Sequence, residues 1–170
     1  SPRLSNERKE IAGKIKKGDL ALVMFAGVGP YGIVMEKNSG ASKVVSIEIN
    51  KEANKYAKMN AELNNVKGRV EIIQGDIKKI ALKLKTKFDV IVMPRPQLKE
   101  SFLKEAFSLS KKGTRVFYYD FCKEDEIENV VSKIKSEAKK SRKKIKILKI
   151  KKAGEIAPYK YRVRVDFMVL

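Results

Sequence analysis

Apolar residues along this chain recur in two rhythms that alternate from one end almost to the other. Leu4 to Lys16 places Ile11 and Ile15 on one helical face, whereas Leu20 to Phe25 is a short apolar run ending in glycines, as a buried strand does. Tyr31 to Asn38 predicts a helix and Lys43 to Ile49 a second strand, rich in Val and Ile. Glu52 to Leu63 has small and apolar residues at helical spacing, closed by Asn64-Asn65. Arg69 to Gln74 alternates as a third strand, after which Gly75-Asp76 turns into a helix reaching Leu84. A fourth strand over Phe88 to Met93 is stopped by Pro94-Arg95-Pro96. Leu98 to Leu109 then predicts a helix with Lys112-Gly113 as its stop, and Thr114 to Tyr119 a fifth strand. Glu124 to Lys139 is a charged helix whose buried stripe is Ile127, Val130, Val131 and Ile134.

The last segment breaks the alternation. Lys144 to Lys151 and Tyr161 to Val169 both alternate as strands, with only Ala153-Gly154 and Pro158 between them, so they predict an antiparallel hairpin at a sheet edge. Strands separated by helices and closed by a hairpin describe an α/β fold with a seven-stranded, mostly parallel sheet covered on both faces. We expect one domain over 1–170: a lead-in helix over 1–18, a cofactor-binding core over 19–122, and a last helix and hairpin over 123–170.

Charge changes the picture. Lys and Arg number 39 against 20 acids, a net charge of +19, and such an excess repels itself unless a polyanion is the partner. The plain alternative is a lysine-rich surface that binds nothing. From Lys139 to Lys152 there are nine basic residues and no acid, suited either to phosphates or to guarding an edge strand against aggregation. There is no histidine, so histidine-based hydrolysis or metal binding is excluded, and proton transfer must use a carboxylate, Lys or Tyr. The single Cys122 excludes an internal disulfide. No apolar run reaches the roughly 18 residues of a membrane helix, and SPRLSNERKE lacks the apolar stretch of a signal peptide. Cytoplasmic residence is the default expectation.

Gly27-Val28-Gly29-Pro30-Tyr31-Gly32 fits G-x-G-x-x-G between the first strand and a helix, where it lets a ligand approach the backbone at a helix amino end. Glu48 follows about 20 residues later at the end of the second strand, placed to accept both hydroxyls of an adenosine ribose. Asp76 follows the third strand, suited to an adenine amino group and equally to capping a helix. These residues leave NAD and S-adenosylmethionine both open; Pro30 and the terminal hairpin favour the latter.

Several stretches, in order, carry a family resemblance: SPRLSNER, MFAGVGPYGI, VVSIEIN, KMNAELNNV, FDVIVMPRP, VFYYDF and APYKYRVRVDFMV. Together they resemble the archaeal and eukaryotic tRNA guanine-N1 methyltransferases, which modify the guanosine 3′ of the anticodon. The resemblance implies a class I Rossmann-like methyltransferase that binds S-adenosylmethionine and the anticodon stem-loop of tRNA. Methyl transfer from a sulfonium needs only alignment and proton removal, so no metal is expected, and of the oligomeric states left open a monomer is favoured. It implies that Phe25, Ala26, Gly27, Gly29 and Pro30 line the methionine side of the cofactor. Glu48 with Ile49 would hold the ribose, and Asp76 with Ile77 would frame the adenine. Arg3, Glu7 and Arg8 match positions that hold or deprotonate the target guanine, with Glu7 as the base, and Pro94 and Pro96 belong to the substrate loop. Full-length relatives carry additional amino-terminal tRNA-binding domains, which this chain is expected to lack.

Three departures from the family pattern stand out. Pro94 replaces the usual Asn, removing an amide from the guanine site, a change consistent with a branch that also methylates a wyosine precursor. Val23 replaces an acid that braces the cofactor pocket, and Phe117 replaces a His. Tyr118 and Tyr119 are candidates for stacking on a base, although one of them must face the core. The alternatives are an aminocarboxypropyl transferase of wybutosine synthesis, a non-catalytic tRNA-binding module and, more remotely, an NAD-dependent oxidoreductase.

Overall fold

A computed structural model describes residues 2–27, 29–94 and 99–170, with side chains from Leu4 onward in those ranges. Seven strands form one sheet: β1 (Leu20–Met24), β2 (Lys43–Glu48), β3 (Val70–Gln74), β4 (Phe88–Met93), β5 (Ser110–Lys123), β6 (Ile145–Ala157) and β7 (Lys160–Val169). Among the described residues six α-helices accompany them: α1 (Pro2–Gly13), α2 (Pro30–Asn38), α3 (Lys51–Leu63), α4 (Ile77–Lys83), α5 (Leu103–Ser108) and α6 (Ile127–Lys140). The strand order is β3-β2-β1-β4-β5-β7-β6. β1 to β5 are parallel, and β7 runs antiparallel to both β5 and β6. The order reverses between β1 and β4, so a crevice opens beyond their carboxyl ends, where open α/β sheets bind ligands.

Period-two burial explains why the sheet needs cover on both sides. Leu22 and Met24 of β1 point into one core with Phe107 of α5 and Ile134 of α6. Ala21 and Val23 of the same strand point into the other, with Ile11 of α1, Met35 of α2 and Ala61 of α3. Val23 is therefore a fully buried packing residue. Tyr118 and Tyr119 divide in the same way, one in each core, and both are buried.

The elements follow the sequence pattern closely in type and less closely in extent. The helix expected over Leu98 to Leu109 shrinks to α5, because Phe102 ahead of it takes a left-handed conformation (φ 59°) that cannot propagate a helix; Leu98 itself lies outside the described residues. Lys112-Gly113, read as a stop, lies inside β5. There the register slips between Phe88 and Val90, and Thr114 Oγ1 stitches the bulge by donating to the Phe88 carbonyl at 2.6 Å. Ala153-Gly154, expected to be loop, lies inside β6, whose three register shifts absorb the irregular pattern. The helix expected from Glu124 begins as a single 3-10 turn, Glu124–Glu126, before α6.

One buried acid is poorly satisfied. Glu36 of α2 is 4% exposed, with Arg69 Nη1 at 3.5 Å from one oxygen and, among the described residues, no partner for the other. Burial pushes its carboxyl above the ordinary value, with Arg69 opposing. A raised folded value means that the stabilising contribution is complete below the unfolded carboxyl's pKa and disappears as pH rises through the folded one. Glu36→Gln is therefore expected to stabilise the protein by about 1 kcal/mol at pH 7, with the advantage shrinking as pH approaches about 4. Urea unfolding of both proteins at several pH values checks this; a destabilised Gln variant at pH 7 would refute it.

Candidate active site

The crevice is built from backbone turns before any side chain enters it. After β1 the chain passes through Phe25 and Gly27 at φ 55° and 57°, and Gly29 at φ 87° caps α2. A left-handed Phe is uncommon and costs of order 1–3 kcal/mol, so its surroundings must hold it. Phe102, itself left-handed, does so through an edge-on ring contact with centroids 5.0 Å apart, and Lys78 Nζ sits 5.5 Å from the Phe102 centroid. Gly32 sets the separation of α2 from β2, since a Cβ there would lie 2.7 Å from Ser46 Oγ. The third glycine of the motif thus serves helix–strand packing.

Glu48 is the hub of the cleft. Its Oε1 accepts from the Gly27 N–H at 3.2 Å and its Oε2 from the Asn50 N–H at 3.0 Å, which fixes the carboxylate while leaving lone pairs for a ligand. Its carbonyl accepts from Asn54 Nδ2 at 2.7 Å and from the Gly75 N–H at 3.0 Å, tying the ends of β2 and β3 together. Asp76 caps α4, Oδ1 accepting from the Lys78 N–H at 3.0 Å, and still lines the cleft, so capping and ligand-facing roles coincide. Ile49 is 66% exposed at the cleft mouth, while Ile77 is buried in its floor. The cavity measures about 560 Å³, within the range of small-molecule and cofactor sites.

A second cavity of about 190 Å³ adjoins it, sharing Phe25, Pro94 and Arg162 as a common wall. Leu4 and Arg8 of α1, Ala26, Pro30 and Tyr31 around the α2 amino end, and Tyr119 of β5 complete its lining. The Arg8 Nε–H is buried without a partner among the described residues. Tyr31 and Tyr119 meet edge-on at 6.2 Å between centroids, and burial raises the pKa of both phenols.

Glu7 lies behind this pocket rather than on its wall. It is 3% exposed, its Oε2 accepting from Tyr119 Oη at 2.8 Å and from Arg164 Nη1 at 2.8 Å, and its Oε1 from Lys151 Nζ at 2.6 Å. Burial pushes the Glu7 carboxyl up, but hydrogen bonds from Lys151 and Tyr119 and the Arg164 charge outweigh it and hold it below the ordinary range. Arg164, fully buried on β7, also binds Asp166 (2.7 and 3.1 Å) and Glu10 Oε1 (2.9 Å). A network of charges thus pins α1 to the terminal hairpin.

The structure brings together Phe25, Ala26, Gly27, Pro30, Glu48, Ile49, Asp76, Ile77 and Pro94 around the two cavities, with Gly29 in the turn behind them and Arg8 on the smaller one. The Arg3 side chain and Pro96 lie outside the described residues. Arg162, Phe102 and Tyr31 are wall residues that the sequence reading passed over. A signal existed for the first: Arg162, Arg164 and Asp166 alternate with the apolar Val163, Val165 and Phe167. The basic run narrows as well, because Lys149 and Lys151 are spent on Glu10 and Glu7 and Lys152 on Glu124. Arg142, Lys143, Lys144 and Lys146 have no ion-pair partner among the described residues.

A glycine turn braced by an acid at the end of β2, beneath a sheet ending in a β5-β7-β6 hairpin edge, defines a class I Rossmann-like methyltransferase domain. Residues 1–148 match the family model described as the TRM5/TYW2 methyltransferase domain, and the chain belongs to that family. The tRNA (guanine(37)-N(1))-methyltransferase Trm5b of Pyrococcus abyssi is 34% identical over 99% of this chain and 49% of its own length. A crystal structure of that protein superimposes with a TM-score of 0.88, at 33% identity over 99% of this chain and 49% of that one. The tRNA (guanine(37)-N(1))/4-demethylwyosine(37)-methyltransferase Taw22 of Nanoarchaeum equitans is 32% identical over the whole chain and 73% of its own length. A Methanocaldococcus jannaschii TYW2 structure in complex with AdoMet superimposes at TM-score 0.85, with 25% identity over all of this chain and 78% of that one. The chain therefore spans about half the length of the Pyrococcus relative.

The buried network yields a direct expectation. Arg164→Met leaves Glu7 and Asp166 buried without their main counter-charge, which should cost about 3–5 kcal/mol of unfolding free energy. Urea denaturation measures it, and a loss below about 1 kcal/mol would show that the network does not hold α1 in place.

Proposed function

We propose that the chain transfers the methyl group of S-adenosylmethionine to N1 of the guanosine 3′ of the anticodon in tRNA. The observation that carries this reading is the pair of contiguous cavities: a larger one with two carboxylates at one end, opening past Phe25, Pro94 and Arg162 into a smaller one walled by Arg8 and two tyrosines. S-adenosylmethionine supplies an electrophilic methyl on a sulfonium, which needs alignment and a proton acceptor but no metal. The braced Glu48 carboxylate accepts the ribose hydroxyls, Asp76 accepts from the adenine amino group, and Ile49 and Phe102 cover the apolar faces. Phe25, Ala26, Gly27, Gly29 and Pro30 form the turn under the methionine portion.

Target deprotonation falls to Glu7, at one remove. Because its carboxylate sits behind Tyr119, the N1 proton passes to the Tyr119 hydroxyl as that hydroxyl gives its own proton to Glu7. Arg8 faces the negative charge that builds on O6, helped by the field of the α2 amino end. The family resemblance adds Arg3 to the base and Pro96 to the substrate loop. Pro94 has no side-chain amide with which to read a guanine edge, which favours acceptance of a tricyclic wyosine precursor as a second substrate. The basic residues from Arg142 to Lys146 extend the contact to tRNA phosphates. This reading places the protein in the cytoplasm with its tRNA. One chain carries both cavities, the basis for expecting a monomer; among the described residues no helix is long and apolar enough to cross a membrane.

Two outcomes follow. Glu48→Ala removes two charge-assisted hydrogen bonds to ribose and should weaken S-adenosylmethionine binding about 100-fold or more by calorimetry. Equal affinity in the two proteins would refute the ribose assignment, and no binding to the wild type would refute the cofactor. Tyr119→Phe and Glu7→Gln should each slow single-turnover methyl transfer by about 100-fold or more with cofactor affinity unchanged. A Phe variant as fast as wild type would exclude the relay through Tyr119.

A further inference from the structure

Arg162 and Arg164 stand two residues apart on the same face of β7 with opposite fates. Arg164 is saturated by Glu7, Glu10 and Asp166, whereas Arg162 has no carboxylate partner among the described residues. Its guanidinium is nevertheless held, 5.3 Å from the Phe121 ring centroid on the neighbouring strand, while its partner on β6 is Gly154, which has no side chain to crowd it. An unpaired cation fixed by an aromatic ring on the wall of a cavity is a preformed anion contact.

Charge along the cleft gives that contact a ligand. The charged residues lining the larger cavity are Glu48 and Asp76 toward one end and Arg162 as the sole cation among the described lining. The smaller cavity is lined by Arg8 and Arg162 and, among the described residues, by no acid. Arg8, Arg162 and the amino end of α2 at Pro30 and Tyr31 all line the smaller cavity, and of these Arg162 lines the larger one as well. A ligand matching this polarity has a hydroxyl- and amino-rich end for the carboxylates and an anionic tail for the guanidinium.

Resting on the methyltransferase reading, we infer that Arg162 binds the α-carboxylate of the cofactor's amino-acid tail and so holds the sulfonium against the shared wall of the two cavities. Arg162 is thus a cofactor-tail ligand, and Arg8 is left to the target base. The residue acts on the part of the cofactor that distinguishes it from a bare nucleoside.

The test compares a ligand that carries that tail with one that lacks both the tail and the sulfonium charge, each followed across the same three proteins. Calorimetry with S-adenosylmethionine and with 5′-methylthioadenosine, which ends at the methylthio group, is run on wild type, Arg162→Gln and Arg162→Lys. S-adenosylmethionine is expected to bind Arg162→Gln about 10- to 100-fold more weakly and the Lys variant with intermediate affinity. 5′-Methylthioadenosine should bind all three alike. Equal weakening of both ligands would make Arg162 a structural residue and overturn the inference. Unchanged binding of both, with tRNA affinity alone reduced, would assign Arg162 to nucleic acid and overturn it equally. Both outcomes leave the methyltransferase reading standing; only wild-type protein that binds neither ligand removes that reading and this inference together.

Discussion

A guanidinium with no exposed surface sits between the first helix and the last strand, and the geometry of the smaller cavity depends on it. Arg164 draws Glu7 and Glu10 of α1 down onto β7, and Lys151 of β6 closes the cluster from the other side. A desolvated charge is costly unless its hydrogen bonds are all made, which is why the cluster contains three acids and several cations rather than one pair. The consequence reaches the cleft directly. α1 cannot move without breaking these bonds, so Leu4 and Arg8, which line the cavity, are set by residues more than a hundred positions further along the chain.

The same network gives the tyrosines their purpose. Tyr119, buried in the core behind the sheet crevice, donates a hydrogen bond from its hydroxyl to Glu7 and turns its ring toward Tyr31. Burial raises the phenol's pKa while the neighbouring cations hold the carboxyl down, so the resting state is a charged acid behind a neutral phenol. On the cofactor side the equivalent anchor is Glu48, fixed by the Gly27 and Asn50 amides. The buried Val23 offers no hydrogen bonds to that pocket, and the Gly27 contact from Glu48 supplies the bracing of the turn.

How much of this was legible beforehand follows from which interactions are local. The alternation of apolar runs and the glycine turn are local patterns, and they gave the sheet and the hairpin and put Glu48 and Asp76 just at the ends of β2 and β3. The position of Phe102 was not legible, because its left-handed backbone is imposed by packing against Phe25 and leaves no mark in composition. Lys112-Gly113 was misread because glycine at a β-bulge and glycine at a helix stop look alike in a single sequence. Glu7 was singled out by the resemblance alone; only the meeting of α1 with β7, distant in sequence, shows that its carboxylate is buried and reaches the cavity through a tyrosine.

If these two cavities bring a methyl sulfonium to a guanine nitrogen in tRNA, incubating the protein with S-adenosylmethionine and unmodified tRNA must leave a product that digestion and mass spectrometry can identify. The expected product carries one added methyl on N1 of the guanosine 3′ of the anticodon. An aminocarboxypropyl group in its place, a methyl on any other base, or tRNA recovered unmodified would contradict that transfer.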